Sequence, residues 1–287
     1  MINFSVLDDQ LIDRIIDEAY QVLEETGVEV QCDELIQRME SAGLPYNKET
    51  KRITFPRSVV EKSIASSPQK IKLFDRDGDP FSTIGGDQTN FVPASSALNI
   101  LDWRTGERRT AQTSDFIEYI KVVNQTKHID YPSTAFSTDD IPQDIADAWR
   151  LYISMAHSRK PIVTGAFTHH GVPRMARMME CFRKDENEMI EKPMAVFTCC
   201  PNSPLRWGID SSHNLIDCVE KGIIVEIVPV LMIGLAVPVT MVGALVMQTA
   251  EVLSGIVFAQ LIKSGAPVVF GGAPGAFHMQ LMSAPMT

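Results

Sequence analysis

Residues 227–250 read IVPVLMIGLAVPVTMVGALVMQTA, an uncharged stretch between Glu226 and Glu251. It is long enough to cross a bilayer, so a membrane span is one interpretation. Two prolines and two glycines interrupt it, namely Pro229, Gly234, Pro238 and Gly243. A helix in contact with lipid tolerates such breaks only with help from neighbouring helices. We therefore favour two elements of an α/β protein and predict no membrane association.

The residues around this stretch predict a strand, a long helix and a second strand. Residues 223–231 are rich in β-branched side chains, which is typical of a strand buried on both faces. Pro238 is predicted in the first helical turn, and residues 239–263 keep a helical apolar stripe that ends before Gly265. Residues 266–270 begin another apolar strand. This order predicts a βαβ unit within a parallel sheet.

Charge and cysteine content exclude several classes of protein. The formal net charge is -10 and the pI is near 5.1, so nucleic acid and anionic membrane surfaces are not expected partners. The first residues, MINFSVLDDQ, lack the basic start and apolar core of a secretory signal. The 5 cysteines have no CxxC spacing, as expected of reduced thiols. We predict a cytoplasmic protein without a tightly bound metal.

The first part of the chain, residues 1–85, predicts a small α+β extension. Asp8 or Asp9 can cap a helix that Gly27 ends, and a short helix follows at residues 33–41. The other predicted elements are a hairpin at residues 44–46 and 52–55, a helix at 56–65 and a strand at 70–74.

Strands and helices alternate over residues 86–287. The predicted strands are residues 90–93, 131–136, 161–167, 194–199, 223–231 and 266–270. The predicted helices are residues 114–123, 143–157, 172–182, 211–221 and 239–263. This pattern predicts an α/β fold, a (β/α)8 TIM barrel truncated after about six strands. We expect the sequence to be the front part of a longer protein.

Several stretches together resemble the trimethylamine methyltransferase family. The strongest is residues 238–272, PVTMVGALVMQTAEVLSGIVFAQLIKSGAPVVFGG. Residues 202–205 (NSPL), residues 102–109 (DWRTGERR) with Asp115, and residues 47–56 (NKETKRITFP) support it. No single motif is specific, but the ordered set is. The resemblance spans nearly the whole chain.

The resemblance implies a methyltransferase with a (β/α)8 barrel. Such an enzyme moves a methyl group from a quaternary amine such as glycine betaine, or from trimethylamine, to the Co(I) of a corrinoid (cobalamin) carried by a separate partner protein. Family members that act on trimethylamine contain pyrrolysine, and the distinguishing position would lie beyond Thr287. We also expect a homo-oligomer.

Two polar residues are predicted to be catalytic. Asn202 follows a predicted strand, where its amide could orient the substrate headgroup, and it matches a residue of the family's substrate pocket. Its alternative role is to cap a loop or helix. Asp102 could balance the substrate cation, and its alternative is a turn residue in DWRTG.

Five further residues are predicted to bind substrate. Trp103, Phe136 and Phe167 offer aromatic faces to a quaternary ammonium, although core packing is the alternative for each. His169 belongs to a histidine pair after a predicted strand, where a loop role is the alternative. Glu226 is a charge within an apolar strand, so it is either paired in the core or functional.

One further candidate contact and two alternative functions stay open. The amino end of the helix near residues 238–240 could receive the carboxylate of a betaine. The chain could be a lyase or aldolase that binds phosphate through residues 271–275, GGAPG, although no strand shows a Schiff-base lysine or metal ligands. Finally, it could be an inactive barrel fragment that binds a quaternary amine or a partner without turnover.

Overall fold

A computed structural model describes residues 6–93, 97–168 and 170–283. These residues divide into two compact units. Unit 1 contains the described residues up to 67, residues 200–212 and the described residues from 227 onward. Unit 2 contains the described residues of 68–199 and 213–226. Each unit is made of several chain segments, so the two units do not correspond to residues before and after 85. The predicted domain boundary at residue 85 stays a prediction.

Helices occur in both units of the described chain. They are α1 (Asp9–Gln21), α2 (Asp33–Ser41), α3 (Arg57–Ser66), α4 (Thr113–Gln125), α5 (Ala146–His157), α6 (Gly171–Glu180), α7 (Glu186–Glu191), α8 (Ile209–Glu220) and α9 (Met241–Ile262). A π-helical turn, Val22–Thr26, continues α1, and a 3-10 turn, Gln143–Ile145, precedes α5.

The strands are short, from two to five residues each. They are β1 (Val28–Val30), β2 (Tyr46–Asn47), β3 (Arg52–Ile53), β4 (Ile71–Phe74), β5 (Pro80–Ile84), β6 (Ile100–Leu101), β7 (Arg108–Arg109), β8 (Ile162–Thr164), β9 (Ala195–Cys199), β10 (Arg206–Trp207), β11 (Ile224–Ile227), β12 (Met232–Ile233), β13 (Val268–Phe270) and β14 (Gly275–Ala276). The predicted α/β class is confirmed. Sheets this small do not show a closed barrel, which stays a prediction.

Unit 1 is built around α9. This helix packs against α1 and α3, and its Phe258 ring lies 5.4 Å from Phe55 and 5.6 Å from Trp207. Among the described residues α9 alone is long and apolar enough to cross a bilayer, but 61% of its most apolar window is buried in the protein. This burial favours a core helix over a membrane span.

The start of α9 differs from the prediction. Thr240 is the N-cap, and its side chain accepts a hydrogen bond of 3.2 Å from Gly243 N. Pro238 therefore precedes the cap and does not lie in the first turn. A threonine hydroxyl can accept a hydrogen bond from a free N–H group at the start of the helix, whereas a proline side chain cannot. The predicted end is confirmed: Gly265 follows the helix with φ +82°.

Unit 2 contains neighbouring strands of one sheet with helices beside them. β9 lies between β8 and β11, and β8 pairs with β9 in parallel, Ile162 opposite Ala195. α5 packs against β8, with α4 and α6 beside it. These elements confirm the predicted strands at residues 161–167, 194–199 and 223–231, each shorter than expected.

Two predicted strands of unit 2 were wrong. Residues 90–93 have no regular structure, and residues 131–136 form only isolated parallel bridges, Ser133 with Val163 and Phe136 with Ala97. Pro93 and Pro132 lie in these segments. Proline has no N–H group to donate to a strand ladder, which explains why continuous pairing stops there.

Candidate substrate site

Glu226 lies on β11, near the end of the strand, and is only half buried. Its Oε2 accepts a hydrogen bond of 3.2 Å from Thr198 Oγ1 on the neighbouring strand β9. Within the described part of the chain Glu226 has no ion pair. Burial raises the pKa of Glu226 above its ordinary value of 4.5, and the hydrogen bond from Thr198 opposes that shift. A carboxylate in this state is stabilised by a cationic ligand.

An open cleft of about 630 Å³ lies in the same unit. It is formed by the loop after β8, the start of α5 and segments near residues 98 and 137. Its lining residues are Leu98, Ser137, Gln143, Asp144, Ala146, Asp147, Arg150, Phe167 and Thr168. A volume of this size accommodates a small organic ligand.

Asp147, which is 1% exposed, holds one wall of this cleft together. Its Oδ2 accepts from Thr168 Oγ1 at 2.6 Å and from the backbone N–H groups of Phe167 and Thr168 at 3.4 and 3.3 Å. Its Oδ1 accepts from Ala148 N at 2.6 Å and from Arg174 Nη2 at 3.2 Å. These bonds fix the loop after β8 against α5.

Arg150 projects from α5 into the same cleft and is 5% exposed. Its guanidinium carbon lies 5.6 Å from the centroid of the Phe167 ring. Burial lowers the pKa of Arg150 from its ordinary value, and the charge of Asp147 opposes that shift. The cleft therefore combines a buried cation with an aromatic face that is 50% exposed.

Asp102 and Trp103 lie in the turn between β6 and β7. Asp102 Oδ1 accepts from Arg104 N at 2.9 Å and its Oδ2 from Arg109 Nε at 3.0 Å, and these bonds lower the pKa of Asp102. Trp103 is 78% exposed, with the Arg104 guanidinium carbon 4.5 Å from its ring centroid. This geometry supports the turn alternative for Asp102.

The remaining predicted side chains of unit 2 have different surroundings. Phe136 is buried and packs edge-on against Phe116, with the ring centroids 5.5 Å apart, as its core alternative predicts. Phe167 lines the cleft. His169 lies outside the described residues.

Asn202 belongs to unit 1, in a loop before β10. Its Oδ1 accepts from Gly208 N at 3.0 Å, and its backbone N–H donates to Arg206 O at 2.7 Å. Glu251 of α9 anchors the same loop, accepting from Ser203 Oγ at 2.7 Å and from Leu205 N at 2.8 Å. Burial raises the pKa of Glu251, which these bonds oppose. Asn202 is exposed, as a ligand contact requires.

Asp147 and Arg150 were missed from the sequence, although a signal exists. Residues 147, 150, 151 and 154 are all buried and follow the three- and four-residue spacing of one helical face. Two charges on a buried helical face mark a buried polar site. Among the described residues no group of three or more His, Cys, Asp or Glu side chains is arranged to hold a metal ion.

Comparison with known proteins gives one consistent family. The trimethylamine methyltransferase (MTTB) family matches residues 1–286. A trimethylamine methyltransferase of Desulfitobacterium hafniense is 26% identical over 93% of this chain and 54% of its own length. A trimethylamine methyltransferase of Methanosarcina barkeri is 27% identical over 93% of this chain and 55% of its own. A glycine betaine methyltransferase of D. hafniense is 26% identical, with 96% and 57% covered.

A similar fold is found in a solved structure. The monomethylamine methyltransferase of Methanosarcina barkeri superposes with a TM-score of 0.53 at 12% identity, covering 94% of this chain and 54% of that one. At this identity the likeness concerns the fold alone. The chain spans about half the length of the relatives that it matches.

Proposed function

Because the chain belongs to the trimethylamine methyltransferase family, we propose that the protein transfers a methyl group from a quaternary or tertiary methylamine to the corrinoid of a partner protein. The similar proteins named for trimethylamine and for glycine betaine support this substrate class. The reduced corrinoid supplies the nucleophile that accepts the methyl group. The whole chain is proposed to form the 1–85 extension and a barrel from residue 86, in a cytoplasmic homo-oligomer.

The observation that carries the proposal is the half-buried Glu226 carboxylate beside Thr198. A methyl group on a quaternary nitrogen leaves from a neutral amine, so the leaving group needs no proton. The protein must instead hold a cation in place and expose one methyl group. A carboxylate at a strand end, hydrogen-bonded to Thr198 and without an ion pair among the described residues, suits the first task.

The other predicted contacts are assigned to the same task. Phe167 offers an exposed ring to the ammonium methyl groups. The catalytic roles of Asp102 and Asn202, and the substrate contacts of Trp103, Phe136 and His169, stay predictions. Of these, Asn202 is exposed and held in a defined loop, whereas the Asp102 carboxylate is already occupied by Arg109.

Methyl transfer can be tested directly with reduced cobalamin. The purified protein is mixed with reduced cobalamin and with trimethylamine, glycine betaine or tetramethylammonium, and the absorption spectrum is followed for methylcobalamin. We expect conversion with at least one amine and a large loss in Glu226→Gln. Glu191→Gln, which removes an exposed carboxylate of the same unit, is the matched control. No conversion with any amine would contradict the proposed function.

A further inference from the structure

Arg150 is the only cationic side chain among the described residues that line the cleft. Its side chain makes one hydrogen bond, from Nε to Ala146 O at 3.3 Å, and forms no ion pair within the described part of the chain. A guanidinium has five N–H donors, so most of its bonding capacity is unused by the described protein groups. It stays charged at neutral pH, because arginine is not deprotonated in proteins.

No ion pair joins Arg150 to the neighbouring Asp147 carboxylate in the described part of the chain. Asp147 already accepts from five donors and is paired with Arg174 Nη2 at 3.2 Å. Arg174 and Asp147 form an ion pair, whereas Arg150 has no ion-pair partner among the described residues. Burying a charge without a partner is unfavourable, so Arg150 does not serve stability alone.

The chemistry of the cleft suits a ligand that carries both signs of charge. A guanidinium fork matches the two oxygens of a carboxylate. The exposed Asp144 carboxylate and the half-exposed Phe167 ring lie in the same cleft and can each attract an ammonium group. Trimethylamine and choline carry no carboxylate and would leave Arg150 unpaired.

We propose that Arg150 binds the carboxylate of a zwitterionic quaternary amine, so that the cleft selects betaines over amines without an acidic group. The choice of ligand rests on the proposed methyl-transfer function. The carboxylate contact itself rests on the cleft, on the burial of Arg150 and on the absence of an ion pair to it among the described residues.

The test compares ligands that differ in the carboxylate. Glycine betaine, choline and acetate are titrated into the purified protein by calorimetry. We expect glycine betaine to bind more tightly than choline or acetate. Arg150→Met keeps a long apolar side chain without the charge, and we expect it to weaken betaine binding by about tenfold to a hundredfold and to leave choline binding nearly unchanged. Arg177→Gln, which removes an exposed arginine of the same unit, should change neither affinity.

Stability separates this role from a structural one. Because no ion pair or acceptor side chain among the described residues depends on Arg150, we expect Arg150→Met to unfold at the same temperature as the unaltered protein or higher. If Arg150→Met does not fold, Arg150→Lys replaces it: the charge remains without the fork, and betaine affinity should fall about threefold to tenfold.

Four results would overturn the proposal. They are an unchanged preference for betaine over choline in Arg150→Met, full betaine affinity in Arg150→Lys, acetate binding as tight as betaine binding, and no binding of any of the three ligands. Failure of the proposed function looks different. In that case betaine binds through Arg150, but reduced cobalamin receives no methyl group from any amine.

Discussion

Thr198 Oγ1 donates a hydrogen bond of 3.2 Å to Glu226 Oε2 between the adjacent strands β9 and β11. This bond favours the ionised carboxylate, whereas burial favours the protonated one, and burial is the larger effect on the pKa of Glu226. Glu226 is thus a carboxylate whose charge is disfavoured until a cation arrives. This balance makes the proposed substrate contact dependent on pH.

Binding of a quaternary ammonium should therefore tighten as pH rises. A cation binds the ionised form of Glu226 and lowers its pKa, so binding releases a proton wherever Glu226 is still partly protonated. We expect the affinity for tetramethylammonium, measured by calorimetry, to rise from pH 4.5 upward through the raised pKa of Glu226 and then to level off. Glu226→Gln should bind more weakly and without this dependence, whereas Glu191→Gln should retain it. A flat profile in the unaltered protein would contradict the assignment.

Gly165, directly after β8, should not tolerate a side chain. A Cβ atom at this position would lie 2.8 Å from the backbone oxygen of Thr198, so β8 or β9 would have to move. We expect Gly165→Ala to lower the free energy of unfolding by about 1–3 kcal/mol, measured by urea denaturation, and to weaken cation binding at Glu226.

The matched control for this change is Gly275→Ala, where the nearest atom to an added Cβ is Met232 Sδ at 3.7 Å, an ordinary contact. Its free energy of unfolding should stay within about 0.5 kcal/mol of the unaltered protein. Equal stability of Gly165→Ala and Gly275→Ala would show that the close approach to Thr198 is not rigid.

Asp147 should be essential for the loop that carries Phe167. In Asp147→Asn one oxygen becomes an NH₂ group that cannot accept, so a buried donor of Ala148 or part-buried donors of Phe167 and Thr168 lose their partner. Arg174 is partly exposed and contributes less. We expect a loss of about 1–3 kcal/mol in the free energy of unfolding.

Asp139→Asn, at an exposed aspartate of the same unit, should leave the free energy of unfolding within about 0.5 kcal/mol. A double-mutant cycle between Asp147→Asn and Thr168→Val should show coupling, because their side chains share a bond of 2.6 Å. Strict additivity would rule out this shared role.

The local part of the fold was predictable because its signals lie close together in the sequence. Asp8 caps α1 through a bond of 2.7 Å to Leu11 N, and residues 33–41 form α2 at the predicted bounds. The long apolar stripe of α9 was also recognised, but its start was predicted two residues too early. The prediction placed Pro238 in the first turn, whereas Thr240 is the N-cap. Such elements depend on neighbouring residues alone.

The parts that were missed depend on distant residues. β1 is only three residues long, and its partner β10 brings Trp207 opposite Val30 from far along the chain. Such short pairings have no alternating pattern to detect. At the site, Glu226 was recognised as a charge within an apolar strand, but its partner Thr198 could not be inferred because the order of the strands was not known. Arg150 lies on a buried helical face, but the sequence alone does not show that this face borders the cleft.

Glu251 holds the loop that contains Asn202 against α9. It is fully buried in α9, and it accepts from Leu205 N at 2.8 Å and from Ser203 Oγ at 2.7 Å in the loop that contains Asn202. In Glu251→Leu both donors lose their acceptor, and a buried backbone N–H without a partner is unfavourable. We expect the free energy of unfolding to fall by about 1–3 kcal/mol at neutral pH, measured by urea denaturation.

Glu251→Gln is the matched variant, because it keeps one acceptor oxygen and removes the charge. The folded state raises the pKa of Glu251 above 4.5, so the folded protein holds this proton more tightly than the unfolded chain. The resulting stability is present below pH 4.5 and is lost as pH rises through the raised pKa, whereas glutamine has no such dependence. The stability of Glu251→Gln relative to the unaltered protein should therefore increase from pH 4 to pH 7. A difference that stays constant over this range, together with full stability of Glu251→Leu, would show that the Asn202 loop is held by other contacts.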